Sequence, residues 1–94
     1  MFDRSKTMTL TGTVESFDWV NPHAWLQVLV TAPDGQADVW SLEMGGTGGM
    51  QRRGWNPQTV KPGDKITVRA HPLRDGSYGG QFESITLPNG RTMN

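Results

Sequence analysis

The sequence predicts a single small domain built of β-strands, and three of its features indicate this. The chain is 94 residues long, the length of one domain, so we expect residues 1–94 to form one unit. Its 12 glycines and 6 prolines divide it into short segments. Most of those segments alternate apolar and polar residues, which is the period of a strand with one buried face. No apolar run approaches the ~18 residues of a membrane span, so we expect no insertion into a membrane.

The first predicted strand covers residues 9–19, TLTGTVESFDW. Apolar and polar residues alternate as far as Val14, and then the phase slips, because Phe17 is the next apolar side chain. A β-bulge at Glu15–Ser16 explains the slip. It would also bend the strand, as the closure of a small barrel requires.

The second and third strands form a predicted hairpin around APDGQ, residues 32–36. Pro-Asp-Gly is typical of a three-residue hairpin loop in which Gly35 takes the left-handed conformation. Pairing Ala32 with Gln36 then sets a register that separates apolar from polar residues on both strands. That register predicts the pairs Val28–Trp40, Leu26–Leu42 and Ala24–Met44 on the core side, and Gln27–Ser41 and Trp25–Glu43 on the outer side.

The second half of the chain predicts a connector and two further strands. The segment GGTGGMQRRGW after Met44 is a glycine-rich connector in which residues 50–55 could form one or two helical turns. The alternation over residues 65–71 and the apolar positions within 81–87 predict the fourth and fifth strands. PNG at 88–90 then turns the chain into a short tail.

This order of elements is that of the oligonucleotide/oligosaccharide-binding (OB) barrel, which has five strands. Three successive strands, a short helix or turn between strands 3 and 4, and two more strands match its topology. We therefore predict an all-β, OB-like barrel of five strands. A six-stranded barrel or sandwich that uses the tail is the alternative.

Charge and cysteine content limit the classes of partner and site. Nine acidic and nine basic residues give a formal net charge of zero. Because binders of nucleic acid and of anionic membranes usually carry a basic excess, we expect no nucleic-acid partner. The chain has no cysteine, which excludes disulfides, thiolate nucleophiles and cysteine-ligated metal sites. MFDRSKTMTL lacks the apolar segment of a signal peptide, so we expect a cytosolic chain or one that begins after a removed leader.

The outer side of the predicted hairpin is the candidate binding site, because strands 2 and 3 carry the ligand-binding face of OB domains. An aromatic ring among hydrogen-bonding groups suits a sugar, a peptide or single-stranded bases. If the N-terminal segment or the glycine loop covers Trp25, the ring is structural instead. The candidate ligand-binding residues are Trp25, His23, Gln27, Ser41 and Glu43, together with Arg52 and Arg53, which form a compact basic spot beside Trp55.

The two histidines are the candidate metal ligands. We expect His23, with Asn21, to hydrogen-bond the backbone at a proline corner, and His71 to lie at the opposite end of the barrel. The alternative is a copper or other transition-metal site formed by His23 with Glu43 or Met44. Otherwise we expect no cofactor.

Catalytic interpretations have less support from the sequence. Neither histidine has a serine at the spacing of a nucleophile and base, and nothing singles out Asp18 and Glu43 as a catalytic carboxylate pair. GGTGGM lacks the GK[ST] ending of a phosphate-binding loop. We therefore predict that the protein is not an enzyme.

Several segments resemble one family of small secreted proteobacterial proteins, known only as a domain of unknown function. They are FDRSKTMTLTGTVESFDWVNPHAWLQV, WSLEMG, RRGW, KPGDKITVRAHPLRDGS and ITLPNGR, which together cover nearly the whole chain. The resemblance implies a small barrel with a periplasmic or secreted location, and it supplies no activity. Members of that family typically carry a signal peptide and then a histidine pair just before the position of Phe2, so this chain resembles a trimmed mature form.

The combined expectation is a periplasmic, non-enzymatic binding or interaction module that uses the outer face of strands 2 and 3. Its partner would be a small ligand or a periplasmic protein, and the oligomeric state is left open.

Overall fold

The computed structural model covers residues 1–94 and contains six strands and one short helix. Their bounds are β1 Met8–Asp18, β2 Trp25–Thr31, β3 Ala37–Glu43, α1 Thr47–Arg52, β4 Lys65–Pro72, β5 Gly79–Thr86 and β6 Thr92–Met93. The strands form one sheet in the order β3-β2-β1-β4-β5-β6, and a parallel pairing of β3 with β5 closes it. The predicted OB-like barrel is confirmed: five strands close, and the tail adds β6 beside β5. No helix has the length and apolar character needed to cross a membrane.

β1 bends so that it pairs with two neighbours. Its register against β2 shifts between Val14 and Ser16, which confirms the predicted bulge. Its N-terminal half pairs regularly with β4, from Met8 opposite Ala70 to Thr13 opposite Lys65. The bulge therefore lets β1 pair with β4 over its N-terminal half and with β2 over its C-terminal half.

The β2–β3 hairpin has the predicted loop and register. Ala32 and Gln36 close the loop with an N–H to carbonyl hydrogen bond of 2.8 Å, and Gly35 has a φ of +89°. All five predicted cross-strand pairs are present: Val28–Trp40, Leu26–Leu42, Gln27–Ser41 and Trp25–Glu43 within the strands, and Ala24–Met44 just beyond them, where the N–H of Met44 donates to the carbonyl of Ala24. The turn residues and the alternation of apolar side chains each specify this register, so the two signals predict the same pairing.

Replacing Gly35 by alanine should lower the free energy of unfolding by about 1 kcal/mol or more, because a side chain is strained at positive φ. Urea unfolding followed by circular dichroism measures this. Gly48→Ala is a matched control, since Gly48 is helical and a Cβ there lies 3.8 Å from its nearest neighbour, Nη1 of Arg52. That control should be neutral or slightly stabilising. A loss of stability at Gly48 but not at Gly35 would contradict the assigned loop.

The helix begins three residues earlier than the sequence predicts and ends where Trp55 turns into the core. Gly54 has a φ of +98°. Its N–H donates to the carbonyl of Gln51, and the N–H of Trp55 donates to that of Met50. These two bonds form a Schellman motif, in which the residue after the glycine packs back on the helix. Met50 and Trp55 are both 1% exposed, so the motif places both side chains in the core.

The core of the barrel includes a cluster of aromatic rings. Trp55 is the largest fully buried side chain, and its ring centroid lies 5.7 Å from that of Phe17 and 5.6 Å from that of Phe82. Trp40 packs against the core on the inward phase, as predicted, but it is only partly buried and contacts the exposed Tyr78. The fully buried core residues are Leu10, Val14, Ala24, Leu26, Val28, Leu42, Met44, Met50, Trp55, Val60, Ile66, Val68, Ala70, Ile85 and Met93.

Candidate functional site

The outer side of β2 and β3 forms a surface that we call the Trp25 face, made of Trp25, Gln27, Ser41 and Glu43. The strand period turns these side chains away from the core, whereas Leu26 and Leu42 between them are fully buried. Trp25 is partly exposed and is not among the apolar residues that pack against the core. The indole ring therefore belongs to the surface of the barrel.

The register places Trp25 between two carboxylates. Asp18 on β1 lies opposite Trp25 on one side, and Glu43 on β3 lies opposite it on the other. The parallel pairing of β3 with β5 then continues this row from Glu43 to Gln81. No side-chain hydrogen bond ends on Asp18 or Glu43, although Oε1 of Glu43 lies 3.4 Å from Nδ1 of His23.

The next outward-facing pair along the strands, Gln27 and Ser41, is joined by a side-chain hydrogen bond. The side-chain amide of Gln27 donates to the hydroxyl of Ser41 over 3.0 Å. Beyond them, Leu29 and Val39 are directly opposite on the same outer side, and Val39 is 44% exposed. The Trp25 face thus continues toward the hairpin loop as an apolar surface.

His23 holds the corner between β1 and β2. Its Nδ1 lies 2.8 Å from the carbonyl oxygen of Met44, and because a carbonyl can only accept, Nδ1 donates. The same atom is 3.4 Å from Oε1 of Glu43. Asn21 accepts hydrogen bonds from the backbone N–H and the hydroxyl of Thr47, at 3.0 and 3.1 Å. The two side chains therefore bond as the proline corner predicts.

The residues of the alternative copper site are only partly brought together. Glu43 lies beside His23, but the side chain of Met44 is 4% exposed and points into the core, on the other side of the strand. No group of three or more histidine, cysteine, aspartate or glutamate residues could hold a metal ion.

His71 lies at the end of β4, beside the start of β1. It is opposite Gln81, and Gln81 is opposite Glu43, so the three residues share one row. Two strand spacings, about 10 Å, separate His71 from Glu43. Its Nδ1 donates to the carbonyl of Lys6 over 2.8 Å. The two histidines therefore lie at opposite ends of β1, as expected: His71 beside its start, and His23 beside its end, next to Trp25 opposite Asp18.

Basic side chains border the Trp25 face. Nε of Arg4 donates to Oε1 of Gln81 over 3.1 Å. Arg53 approaches Gly45, just after β3, and its Nε donates to the backbone carbonyl of Asn94 over 3.1 Å. Arg52 is exposed at the end of α1. The predicted basic spot therefore exists at one margin, although the neighbouring Trp55 is buried, and Arg4 adds a second basic margin that the sequence did not predict.

Acidic and basic groups are used differently over the surface. The carboxylates of Asp3, Asp34, Asp64 and Asp75 accept backbone N–H groups inside turns. Hydrogen bonds from the hydroxyl of Ser5 hold the pKa of Asp3 below its ordinary value, and those from the hydroxyl of Ser77 do the same for the pKa of Asp75. By contrast, none of the arginines forms a salt bridge.

Comparison with known proteins gives a family and a fold. The model of a family described as Family of unknown function (DUF6152) matches residues 1–82. No curated protein matches. Among solved structures, one crystal form of the mitochondrial single-stranded DNA binding protein Rim1 from S. cerevisiae has a TM-score of 0.63 at 17% identity, covering 93% of this chain and 95% of that one. A second form has a TM-score of 0.65 at 15% identity, with 93% of each chain covered.

The comparison corrects the expectation of no nucleic-acid partner. Proteins with the same fold are named as single-stranded DNA binding proteins, so this exclusion is wrong. It rested on a net charge of zero, which is a sum over the whole surface. Acidic side chains that accept hydrogen bonds in turns count in that sum as much as arginines that form no salt bridge at the margins of a face.

Proposed function

We propose that this chain, which belongs to the DUF6152 family of unknown function, is a non-enzymatic binding module that holds single-stranded nucleic acid on its Trp25 face. The observation that carries the proposal is the partly exposed indole ring of Trp25 on the outer side of β2 and β3. OB domains bind oligonucleotides and oligosaccharides on this surface. The fold shared with single-stranded DNA binding proteins supports nucleic acid as the ligand.

Stacking would supply most of the binding energy. A base stacked on an aromatic side chain contributes about 1–3 kcal/mol, and every base has a face that can stack. Trp25 offers one such position. The apolar Leu29–Val39 pair on the same outer side offers contact for a neighbouring base or sugar.

The basic margins would meet the phosphates. Arg4 lies on the side of β5, and Arg52 and Arg53 lie beyond the end of β3. None of them forms a salt bridge with an aspartate or glutamate side chain. Because few phosphates would be contacted, we expect modest affinity that weakens as the salt concentration rises.

The non-enzymatic part of the proposal has its own support. The structural neighbours are named as binding proteins. The histidine nearest the face, His23, uses its Nδ1 hydrogen to bond the Met44 carbonyl. The periplasmic or secreted location is also part of the proposal, and its support is the resemblance of the sequence motifs.

Trp25→Ala should weaken binding of a fluorescein-labelled single-stranded oligonucleotide by about 5- to 150-fold, the loss of one stacked base. Fluorescence anisotropy at low salt measures the affinity. Trp25→Phe should retain most of it, because a phenyl ring also stacks. Thr67→Ala, on the outer side of β4, is the control and should bind like the unmodified protein. The proposal fails if the unmodified protein does not bind the strand, or if Trp25→Ala, shown to be folded by circular dichroism, binds equally well.

A further inference from the structure

We infer that the Trp25 face selects bases that present an amino group, such as cytosine and adenine, over thymine and uracil. This inference rests on the proposed function and names the ligand more closely. The observation behind it is that a stacking ring lies between two carboxylates, those of Asp18 and Glu43.

Both carboxylates are placed to meet the edge of a stacked base. Residues directly opposite on neighbouring strands have their Cβ atoms about 4.5–5.5 Å apart, so each carboxylate flanks one side of the indole. A base on the ring would have its polar edge within reach of one of them. The side chain of Glu43 is 27% exposed and Asp18 is exposed, so both carboxylates are accessible to a ligand.

The other polar groups of the face do not lie directly opposite Trp25. Gln27 donates one amide hydrogen to Ser41, so the donors that these two side chains keep belong to the next outward position along the strands, and Gln81 accepts from Arg4 one strand further away. The Nδ1 hydrogen of His23 goes to the Met44 carbonyl, so in the neutral ring Nε2 is another acceptor. The side chains directly opposite Trp25 on both neighbouring strands are therefore acceptors.

An ionised carboxylate can accept hydrogen bonds but cannot donate them. The exocyclic amino groups of cytosine and adenine donate to it, as in the pairing of glutamate or aspartate with cytosine N4. Thymine and uracil present carbonyl oxygens at the corresponding positions. Two facing acceptors cannot bond, and a polar group left without a partner weakens binding of the wrong ligand.

The test compares oligo(dC), oligo(dA) and oligo(dT) of equal length by anisotropy at low salt. We expect oligo(dC) and oligo(dA) to bind about tenfold more tightly than oligo(dT), the discrimination of one good base contact. In Glu43→Gln the new amide can donate to a carbonyl, so the dC to dT ratio should fall to about threefold or less, mainly through tighter binding of oligo(dT). Asp18→Asn should change the ratio in the same direction.

Removing a negative charge strengthens binding of every strand, and the ratio of affinities cancels that effect. Glu83→Gln is the matched control, because it makes the same change beside His71, away from Trp25. Its dC to dT ratio should equal that of the unmodified protein.

The outcomes separate the inference from the proposed function. Trp25-dependent binding without a dC to dT difference, with a preference for oligo(dT), or with a ratio that Glu43→Gln and Asp18→Asn leave unchanged overturns the inference alone. Failure to bind any strand overturns both. If a lysine-rich peptide then binds in a Trp25-dependent way, the flanking carboxylates serve a cationic ligand instead.

Discussion

Replacing Trp55 by alanine is expected to lower the free energy of unfolding by about 3–5 kcal/mol, the cost of removing a large aromatic side chain from a core. The ring is 1% exposed and lies between Phe17 and Phe82. Its Nε1 also donates to the backbone carbonyl of Asn94 over 3.1 Å, so the substitution removes a tie to the C-terminal segment. In a domain of this size such a loss is a large part of the total stability.

Urea unfolding followed by far-UV circular dichroism measures the effect, because that signal does not depend on the tryptophan removed. Trp55→Phe should lose clearly less, since it keeps most of the buried ring. Trp25→Ala is the matched surface control and should lose much less than Trp55→Ala, because its ring does not pack against the core. Equal losses at the two positions would mean that Trp25 is also a core residue, and the binding face would lose its main support.

Trp55 illustrates what alternation within strands cannot reveal. The hairpin was predictable because the turn residues and the period of two set the same register, from Ala24 to Met44. Trp55 lies outside every strand. From the sequence it was identified only as the residue beside Arg52 and Arg53, and not as a core residue. The available signal was Met50 followed by Gly54-Trp55, the spacing of a Schellman motif that returns the residue after the glycine to the helix.

The candidate site likewise contains residues that the sequence predicts and residues that only the folded structure reveals. Trp25, Gln27, Ser41 and Glu43 follow from the hairpin register alone. Gln81 and its partner Arg4 depend on the parallel pairing of β3 with β5, which joins residues far apart in sequence. Local patterns carry no information about such a pairing, so the second basic margin could be found only in the closed barrel.

The charge of the whole chain was the least informative quantity. Asp34 and Asp64 each accept a backbone N–H in a turn and contribute to the net charge of zero as fully as the exposed arginines do. A ligand on one face responds to the charges within about a Debye length of it, roughly 10 Å at moderate salt. The position of the charges on the barrel, and not their sum, therefore decides which classes of partner can bind.

Gly12→Ala should lower the free energy of unfolding by about 3 kcal/mol or more, through a clash and not through a lost contact. A Cβ at Gly12 would clash with the carbonyl oxygen of Leu29 and lie 3.0 Å from its carbonyl carbon. Both are backbone atoms of β2, so no side chain can rotate away, and β1 and β2 must separate. Overpacking of this kind costs typically 1–3 kcal/mol and sometimes more, and here it acts on the strand that joins β2 to β4.

The same substitution tests the link between the barrel and its face, because the β1–β2 register sets Asp18 beside Trp25. Urea unfolding gives the stability of Gly12→Ala, and anisotropy at low temperature gives the strand affinity of the fraction that remains folded. Thr11→Ala is the control: it changes an outward side chain on the same strand and should cost less than about 1 kcal/mol. A loss at Gly12 as small as that of Thr11→Ala would mean that β1 and β2 do not approach so closely. The barrel would then be looser at the Leu29 end of the β1–β2 pairing, whose other end sets Asp18 opposite Trp25.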